Sequence, residues 1–311
     1  MKFLYLYCSH IKGTNPGNRR GNYFNDIKEK FAEIIRIGKE KDVDVIYHGG
    51  DFGDAPMMSL GLVDSIVDMI EHGGITWDII RGNHDEIGHN PNLSGESILD
   101  HIFRRSKMIR HLEIVQDRNV YIQGFDYYHG IEKDIKEKGL QSANGATGQK
   151  KIAIIHAFIT PDKWLPQVLH IPVAELKSDF DLVLVAHNHV EWGIKKIDKT
   201  TFVSIGSLSR LTVAKSDTER MPNVLYVDTD VPTLQVIPLE CAKPAVEIFD
   251  LDKIKSGKEF EASIENFISS LENVKFQGLN LRANIEEIGR QMGYDDEVIK
   301  EVVDRMGTFE Q

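Results

Sequence analysis

The chain has little cysteine, no long apolar run and no excess of basic residues, and each shortage removes a class of protein. Cys8 and Cys241 are its only cysteines. They stand far apart and lack the paired spacing of a disulfide-stapled secreted domain, so a reducing cytoplasm is the simpler setting. No stretch approaches the roughly 20 consecutive apolar residues that a membrane-spanning helix needs. The opening MKFLYLYCSHIKGT turns polar after Cys8 and has no small-residue cleavage site, which makes it a first β-strand rather than a secretory signal. A formal net charge of -11 predicts a surface that repels nucleic acid and anionic membranes, except where positive charge is gathered locally or supplied by metal ions. No internal repeat is present.

What remains is an ordinary globular composition, 41% hydrophobic and 27% charged, able to bury a core. A chain of 311 residues exceeds what one core usually supports, so we expect a main domain over residues 1–239 and a C-terminal cap or accessory domain over 240–311. KFLYLYC at 2–8 predicts a buried strand. Phe24, Ile27, Phe31, Ile34 and Ile35 recur at helical spacing over 24–41. VDVIY (43–47) and TWDII (76–80) predict two more strands, with an amphipathic stretch from Met57 to Glu71 between them. The alternation implies a mainly parallel α/β half.

Beyond a helical segment near 97–107, strands follow one another more directly: 112–115, 120–125, 151–156, 181–187, 191–197 and 201–206. GLQSANGATGQ at 139–149 reads as an exposed loop, and residues 223–239 as closing antiparallel strands. The tail offers a short strand in AVEIFDL and helices near 259–273, 281–292 and 295–306, without histidine.

Five segments rich in His, Asp and Asn each fall at the predicted end of a strand: Cys8-Ser9-His10, Gly50-Asp51, Gly82-Asn83-His84-Asp85, His156, and His187-Asn188-His189. An α/β sheet places such loops around a common crevice. Two divalent ions clamping a phosphoryl group need a carboxylate able to bridge them. Asp51, following two glycines, is the candidate. Imidazoles and an amide oxygen would complete a donor set suited to manganese, iron or zinc. Singly, each signal has a bland explanation: Gly-Asp is usually a turn, an isolated histidine at a strand end is usually a satisfied polar residue, and His-x-His is as often structural. Five in order are hard to explain that way.

The set resembles the calcineurin-like metallophosphoesterase superfamily, whose pattern runs D-x-H, GD, GNH[DE], H and GHxH. Within it, the stretch from Gly13 to Asp54 is similar to the SbcD-type DNA repair nucleases, through Arg20, Asp26, FAEI (31–34), VDVI (43–46) and GDFGD (50–54). IGSLSR (205–210) resembles their GSxxR-like segment. The resemblance implies a four-layer α/β/β/α sandwich and two divalent metal ions. It places Cys8, His10, Asp51 and His189 on one ion and Asp51, Asn83, His156 and His187 on the other. It makes His84 the group that contacts the phosphate and protonates the leaving oxygen, with Asp85 orienting it, and puts Arg20 and Asn188 against the substrate.

By the same resemblance the reaction is hydrolysis of a phosphodiester, with DNA the favoured substrate, a coiled-coil SbcC-type ATPase as partner, and a homodimer. The alternatives are a phosphodiesterase or phosphatase acting on a small nucleotide-like substrate, and a non-catalytic scaffold with a degenerate metal site. Manganese is the metal expected first; Cys8 stands where the family usually has Asp, and a soft thiolate makes zinc or iron the alternatives. Ala186 replaces a usual Gly, and Gly53 a bulky aromatic. His48 and His89 are candidates to line the cleft. Arg104, Arg105, Lys107, Arg110 and His111 form the densest basic cluster, either a local positive patch or an exposed face of mixed charge.

Overall fold

The computed structural model describes residues 1–89, 95–117, 119–143, 149–163, 168–251, 261, 263–265, 281–291 and 294–307. Its first strand shows how the chain is layered. In β1 (Lys2–Leu6) and the residues after it, Phe3, Tyr5 and Tyr7 turn to one face, while Leu4 and Leu6 turn to the other, and all five are fully buried. Alternation with both faces apolar marks a strand covered on both sides.

One covering layer is helical. α1 (Tyr23–Glu40) starts at Asn22, whose side chain accepts the Asn25 N–H, and its Ile27, Phe31 and Ile34 pack with Leu4 and Leu6. α2 (Leu60–Gly73) ends where Gly74 adopts φ 72°, a left-handed stop that glycine makes without steric cost. α3 (Ile98–Arg105) completes that layer through Leu99 and Ile102.

The first sheet adds β2 (Val45–His48), β3 (Thr76–Ile79), β4 (Ile109–His111), β13 (Asn223–Asp228) and β14 (Thr233–Pro238), in the order β14-β13-β1-β2-β3-β4. β1 to β4 run parallel, while β13 and β14 close the edge antiparallel. The second sheet holds β5 (Ile114–Gln116), β6 (Val120–Phe125), β7 (Lys150–Ala157), β10 (Leu182–His187), β11 (Gly193–Ile197) and β12 (Thr200–Ser204), in the order β11-β12-β10-β7-β6-β5. β8 (Ile159–Thr160) and β9 (Ile171–Pro172) form a small separate pair.

Phe3, Tyr5 and Tyr47 of the first sheet meet Ile122, Ile154, Leu184 and Val203 of the second in a shared core. The outer face of the second sheet packs on α4 (Ile131–Lys138) through Ile131 and Ile135. Helix, sheet, sheet and helix give the four expected layers. An ionic knot also ties the sheets together: Arg81, just past β3, reaches Asp126, just past β6, at 2.9 Å and Asp100 of α3 at 2.5 Å.

Backbone contacts divide the chain into Met1–Ile248 and Phe249–Gln311. The first unit also contains the short helices α5 (Lys215–Thr218) and α6 (Ala245–Ile248). α6 corrects the expected strand in AVEIFDL, because a short apolar run does not by itself distinguish strand from helix. In the second unit α7 (Leu281–Gln291) and α8 (Asp296–Gly307) bury Ile285, Val298, Ile299 and Val302. Most of the helix expected near 259–273 lies outside the described residues. Among the described residues, no helix is long and apolar enough to cross a membrane.

Candidate active site

The five segments arrive at one place because the parallel strands of each sheet end at the same edge and the stacked sheets bring those two edges together. Cys8 and His10 follow β1, Asp51 follows β2, Asn83 to Asp85 follow β3, His156 is next to last in β7, and His187 closes β10. In the ladder between β7 and β10, Ala186 pairs with His156 and His187 with Ala157; strand alternation would send the two imidazoles to opposite faces, and the left-handed backbone of His187 breaks that alternation.

Four of these residues hold left-handed backbone conformations: Cys8 at φ 53°, His10 at 44°, Asp51 at 53° and His187 at 82°. Such strain in non-glycine residues persists only where the surroundings over-determine it, and it concentrates at functional sites. Two glycines make room. A Cβ on Gly82 would lie 2.2 Å from Asp51 Oδ1, and one on Gly50, itself at φ 86°, would lie 2.6 Å from His156 Nδ1. A Cβ on Gly49 would sit 2.8 Å from that of Ala186, so the Gly49 side of this contact accommodates Ala in the last motif.

The side chains form two clusters that share Asp51. Cys8, His10, Asp51 and His189 offer donor atoms all within 4.8 Å of one another, as do Asp51, His156 and His187. Asp51 Oδ2 is 3.6 Å from Cys8 Sγ, 3.6 Å from His10 Nε2 and 3.3 Å from His156 Nε2. His10 Nε2 lies 3.0 Å from His189 Nε2. His156 Nε2 lies 3.0 Å from His187 Nδ1 and 3.1 Å from Asn83 Oδ1. His156 Nδ1 meets the Gly49 carbonyl at 2.7 Å, so that nitrogen carries a proton and Nε2 is the one turned toward Asp51.

Burial, and then the neighbouring His156, lowers His187 to about 3; burial, and then His10, lowers His189 to about 4. Both rings are neutral at ordinary pH, as metal ligands must be. Burial would raise Asp51, but the surrounding histidines and the His84 N–H outweigh it and hold the carboxylate well below its usual range. Burial and the Asp51 charge push the Cys8 thiol up. Imidazole, thiol and amide donors converging on a buried carboxylate fit a pair of cations.

His84 sits beside the first cluster, its ring 4.7 Å from that of His10. Here the expectation for Asp85 needs correction. The Asp85 carboxylate accepts the N–H groups of Phe52, Gly53 and Gly82 at 2.9 to 3.3 Å, and so ties two loops together. The His84 ring is held instead by the Asp54 carbonyl, 2.8 Å from Nδ1. A main-chain acceptor of this kind leaves no trace in a motif.

Asn188 is also placed differently. It is 4% exposed, its amide donates to the Ile159 carbonyl at 3.3 Å, and its oxygen accepts the Val190 N–H at 3.1 Å. It therefore shapes the turn between His187 and His189 rather than facing substrate. Arg20 is exposed, and it is Arg19 that pairs with Asp26, at 2.5 Å. His48 is fully buried behind the first motif, 3.0 Å from Ser9 Oγ. The side chain of His89 lies outside the described residues.

The basic cluster is largely spent on internal partners. Arg105 pairs with Asp64, Arg110 with Asp78 and His111 with Asp126, while Arg104 donates to the Gly95 carbonyl. Sequence reasoning missed Tyr127 and Phe158, whose rings lie 5.7 and 5.6 Å from that of His187. With His187 they line a cavity of about 280 Å³ that also reaches His129, Glu132, Val168 and Leu169.

Residues 8–191 match the profile of the calcineurin-like phosphoesterase family. The DNA double-strand break repair protein Mre11 of Haloferax volcanii is 22% identical over 198 residues, covering 62% of this chain and 42% of that protein. The chain thus spans under half the length of this curated relative. Among solved structures, a dimetal phosphatase from Danio rerio aligns at 10% identity with a TM-score of 0.49, over 76% of this chain and 96% of that one. The calcineurin-like phosphoesterase YfkN from Bacillus subtilis aligns at 13% identity with a TM-score of 0.42, over 76% and 88% of the two chains.

Proposed function

The chain belongs to the calcineurin-like phosphoesterase family, and from that premise we propose that it hydrolyses phosphodiesters, with DNA as the favoured substrate, at the centre built around Asp51. Membership makes it a metal-dependent phosphoric ester hydrolase. The observation that carries the proposal is the sharing of Asp51 by two donor clusters with His84 alongside.

Cys8, His10, Asp51 and His189 would hold one divalent cation, and Asp51, Asn83, His156 and His187 the other. Bound cations supply Lewis acidity toward the phosphoryl oxygens and toward the attacking water. The chain's own residues do the rest. Asp51 Oδ1 accepts the His84 N–H at 3.0 Å, so one carboxylate fixes both the cation sites and the neighbouring histidine. With Nδ1 held by the Asp54 carbonyl, Nε2 is the His84 atom left to meet the leaving oxygen and pass it a proton. The donor set favours zinc or iron over manganese at the Cys8 side.

DNA is supported by the similarity to a protein named for double-strand break repair and by the nuclease-like pattern from Gly13 to Asp54. A second reading, a small nucleotide-like diester, is favoured by the aromatic cavity against His187 and by the internal pairing of the basic cluster. Both readings require two equivalents of metal per chain and hydrolysis of bis(p-nitrophenyl) phosphate. His84→Ala should keep the metal and lower kcat by about 10²- to 10⁴-fold. Linear double-stranded DNA then separates the readings, and DNA degradation that survives His84→Ala would rule the nuclease out.

A further inference from the structure

The peptide groups of residues 207–210 are sorted by direction. On one side, the N–H groups of Ser207, Leu208 and Ser209 donate to the carbonyls of His189 at 3.3 Å, Tyr7 at 2.9 Å and Cys8 at 3.2 Å. On the other, every carbonyl meets a cation. Arg220 donates to Ser207 O at 2.6 Å and Ser209 O at 2.7 Å, Lys30 Nζ to Leu208 O at 2.9 Å, and Arg19 to Arg210 O at 3.1 Å. Arg19 also lies 5.0 Å over the ring of Tyr23, whose hydroxyl donates to the carbonyls of Ser9 at 3.0 Å and His10 at 3.1 Å.

This cationic cluster is buried. Lys30 is 3% exposed and Arg210 2%, and the side chains of Arg19 and Arg220 are 2% and 8% exposed. The carboxylates paired with it are Asp26, on Arg19, and Asp217, on Arg220. Four basic side chains thus face two carboxylates; the carbonyl oxygens of 207–210 take donors from Arg19, Lys30 and Arg220, those of Arg220 and Lys243 take donors from Arg210, and Arg210 Nε and Arg220 Nε are left without a partner. Buried charge on this scale is tolerated only when hydrogen-bonded, so each carbonyl is held firmly to its cation.

We infer that Arg19, Lys30 and Arg220 are positioning residues for the cation site formed by Cys8, His10 and His189. By fixing the carbonyls of Ser207 and Leu208, Arg220 and Lys30 aim the N–H groups of the same peptide planes, those of Leu208 and Ser209, at the carbonyls of Tyr7 and Cys8, and the adjoining Ser207 N–H meets His189. Through Tyr23, Arg19 holds Ser9 and His10. Cys8 at φ 53° and His10 at φ 44° need such outside support to keep a left-handed backbone. Among the described residues, no hydrogen bond joins 207–210 to Asn83, His156 or His187. Weakening the cluster should therefore affect one cation site and spare the other.

The inference rests on the two-metal reading, and one titration distinguishes them. The full chain and its Lys30→Met and Arg220→Lys variants are titrated with cobalt(II), following bound metal by elemental analysis and the Cys8 thiolate-to-cobalt absorption in the near ultraviolet. Wild type should bind two equivalents and show that absorption. The variants should keep one equivalent at wild-type affinity, lose about 10- to 100-fold in affinity for the other, and lose the thiolate band in parallel. Two wild-type-like sites in both variants, or equal weakening of both sites, would overturn the inference. Fewer than two equivalents in wild type would overturn the two-metal reading itself. Should Lys30→Met fail to fold by circular dichroism, Arg220→Lys and Tyr23→Phe decide the matter alone.

Discussion

At the scale of single residues, Cys8 stands where the resemblance leads one to expect Asp. Its thiol is fully buried and 3.6 Å from the shared carboxylate, so its chemistry bears directly on which ion is held. A thiolate favours softer ions, whereas a carboxylate favours manganese. Asp also tolerates a left-handed backbone better than most residues, and so suits the φ of 53° here. Cys8→Asp should therefore fold and shift the bound metal from zinc toward manganese. Equilibration with equal concentrations of the two ions, followed by elemental analysis, tests this; an unchanged ratio would show that Cys8 does not ligate. The substitution is visible in the sequence as a broken D-x-H motif. The supports around it were not, because Tyr23, Lys30 and Arg220 act through backbone carbonyls and are brought together only by the fold.

Among the elements, the strand ends were the most legible part. Apolar runs bounded by His, Asp and Gly marked where β1, β2, β3, β7 and β10 stop, and in a parallel sheet that also marks a common edge. α4 was missed, since a two-turn helix rich in Lys and Glu carries little apolar period beyond Ile131 and Ile135. The link between the sheets was equally hidden. Arg81 occupies the position before the Gly82-Asn83-His84 motif, yet its side chain runs away from the site to Asp100, which is 4% exposed, and to Asp126. Arg81→Met would leave Asp100 to Ser97 and the Gly95 N–H, and Asp126 to His111, at a cost of about 2 kcal/mol. Urea unfolding should show that loss as a lower midpoint with an unchanged slope. A midpoint equal to wild type would mean that the sheets are held by their apolar core alone.

The whole molecule carries a net charge of -11 yet buries Arg19, Lys30, Arg210 and Arg220 together. That arrangement has a consequence for stability as pH changes. Burial, and then the neighbouring arginines, lowers Lys30 to about 7, whereas in the unfolded chain it titrates near the ordinary lysine value of 10.5. Between these values the unfolded state binds the extra proton, so stability rises with pH, and below about 7 the full penalty for burying the ammonium is present. One proton difference corresponds to about 1.4 kcal/mol per pH unit. Asp26, Asp217, Arg19, Arg210 and Arg220 surround the ammonium, and burial lowers Arg210 to about 10, so that guanidinium keeps its charge between pH 7 and pH 8. Other groups, Cys241 among them, titrate above pH 8, which makes the comparison with a variant necessary. In chelator, so that metal affinity plays no part, wild-type stability relative to Lys30→Met should climb by about 1 kcal/mol from pH 7 to pH 8 in urea titrations. A difference that stays flat over that interval would show that Lys30 keeps its proton in the fold, through stronger support from the carbonyl of Leu208 than burial alone would allow.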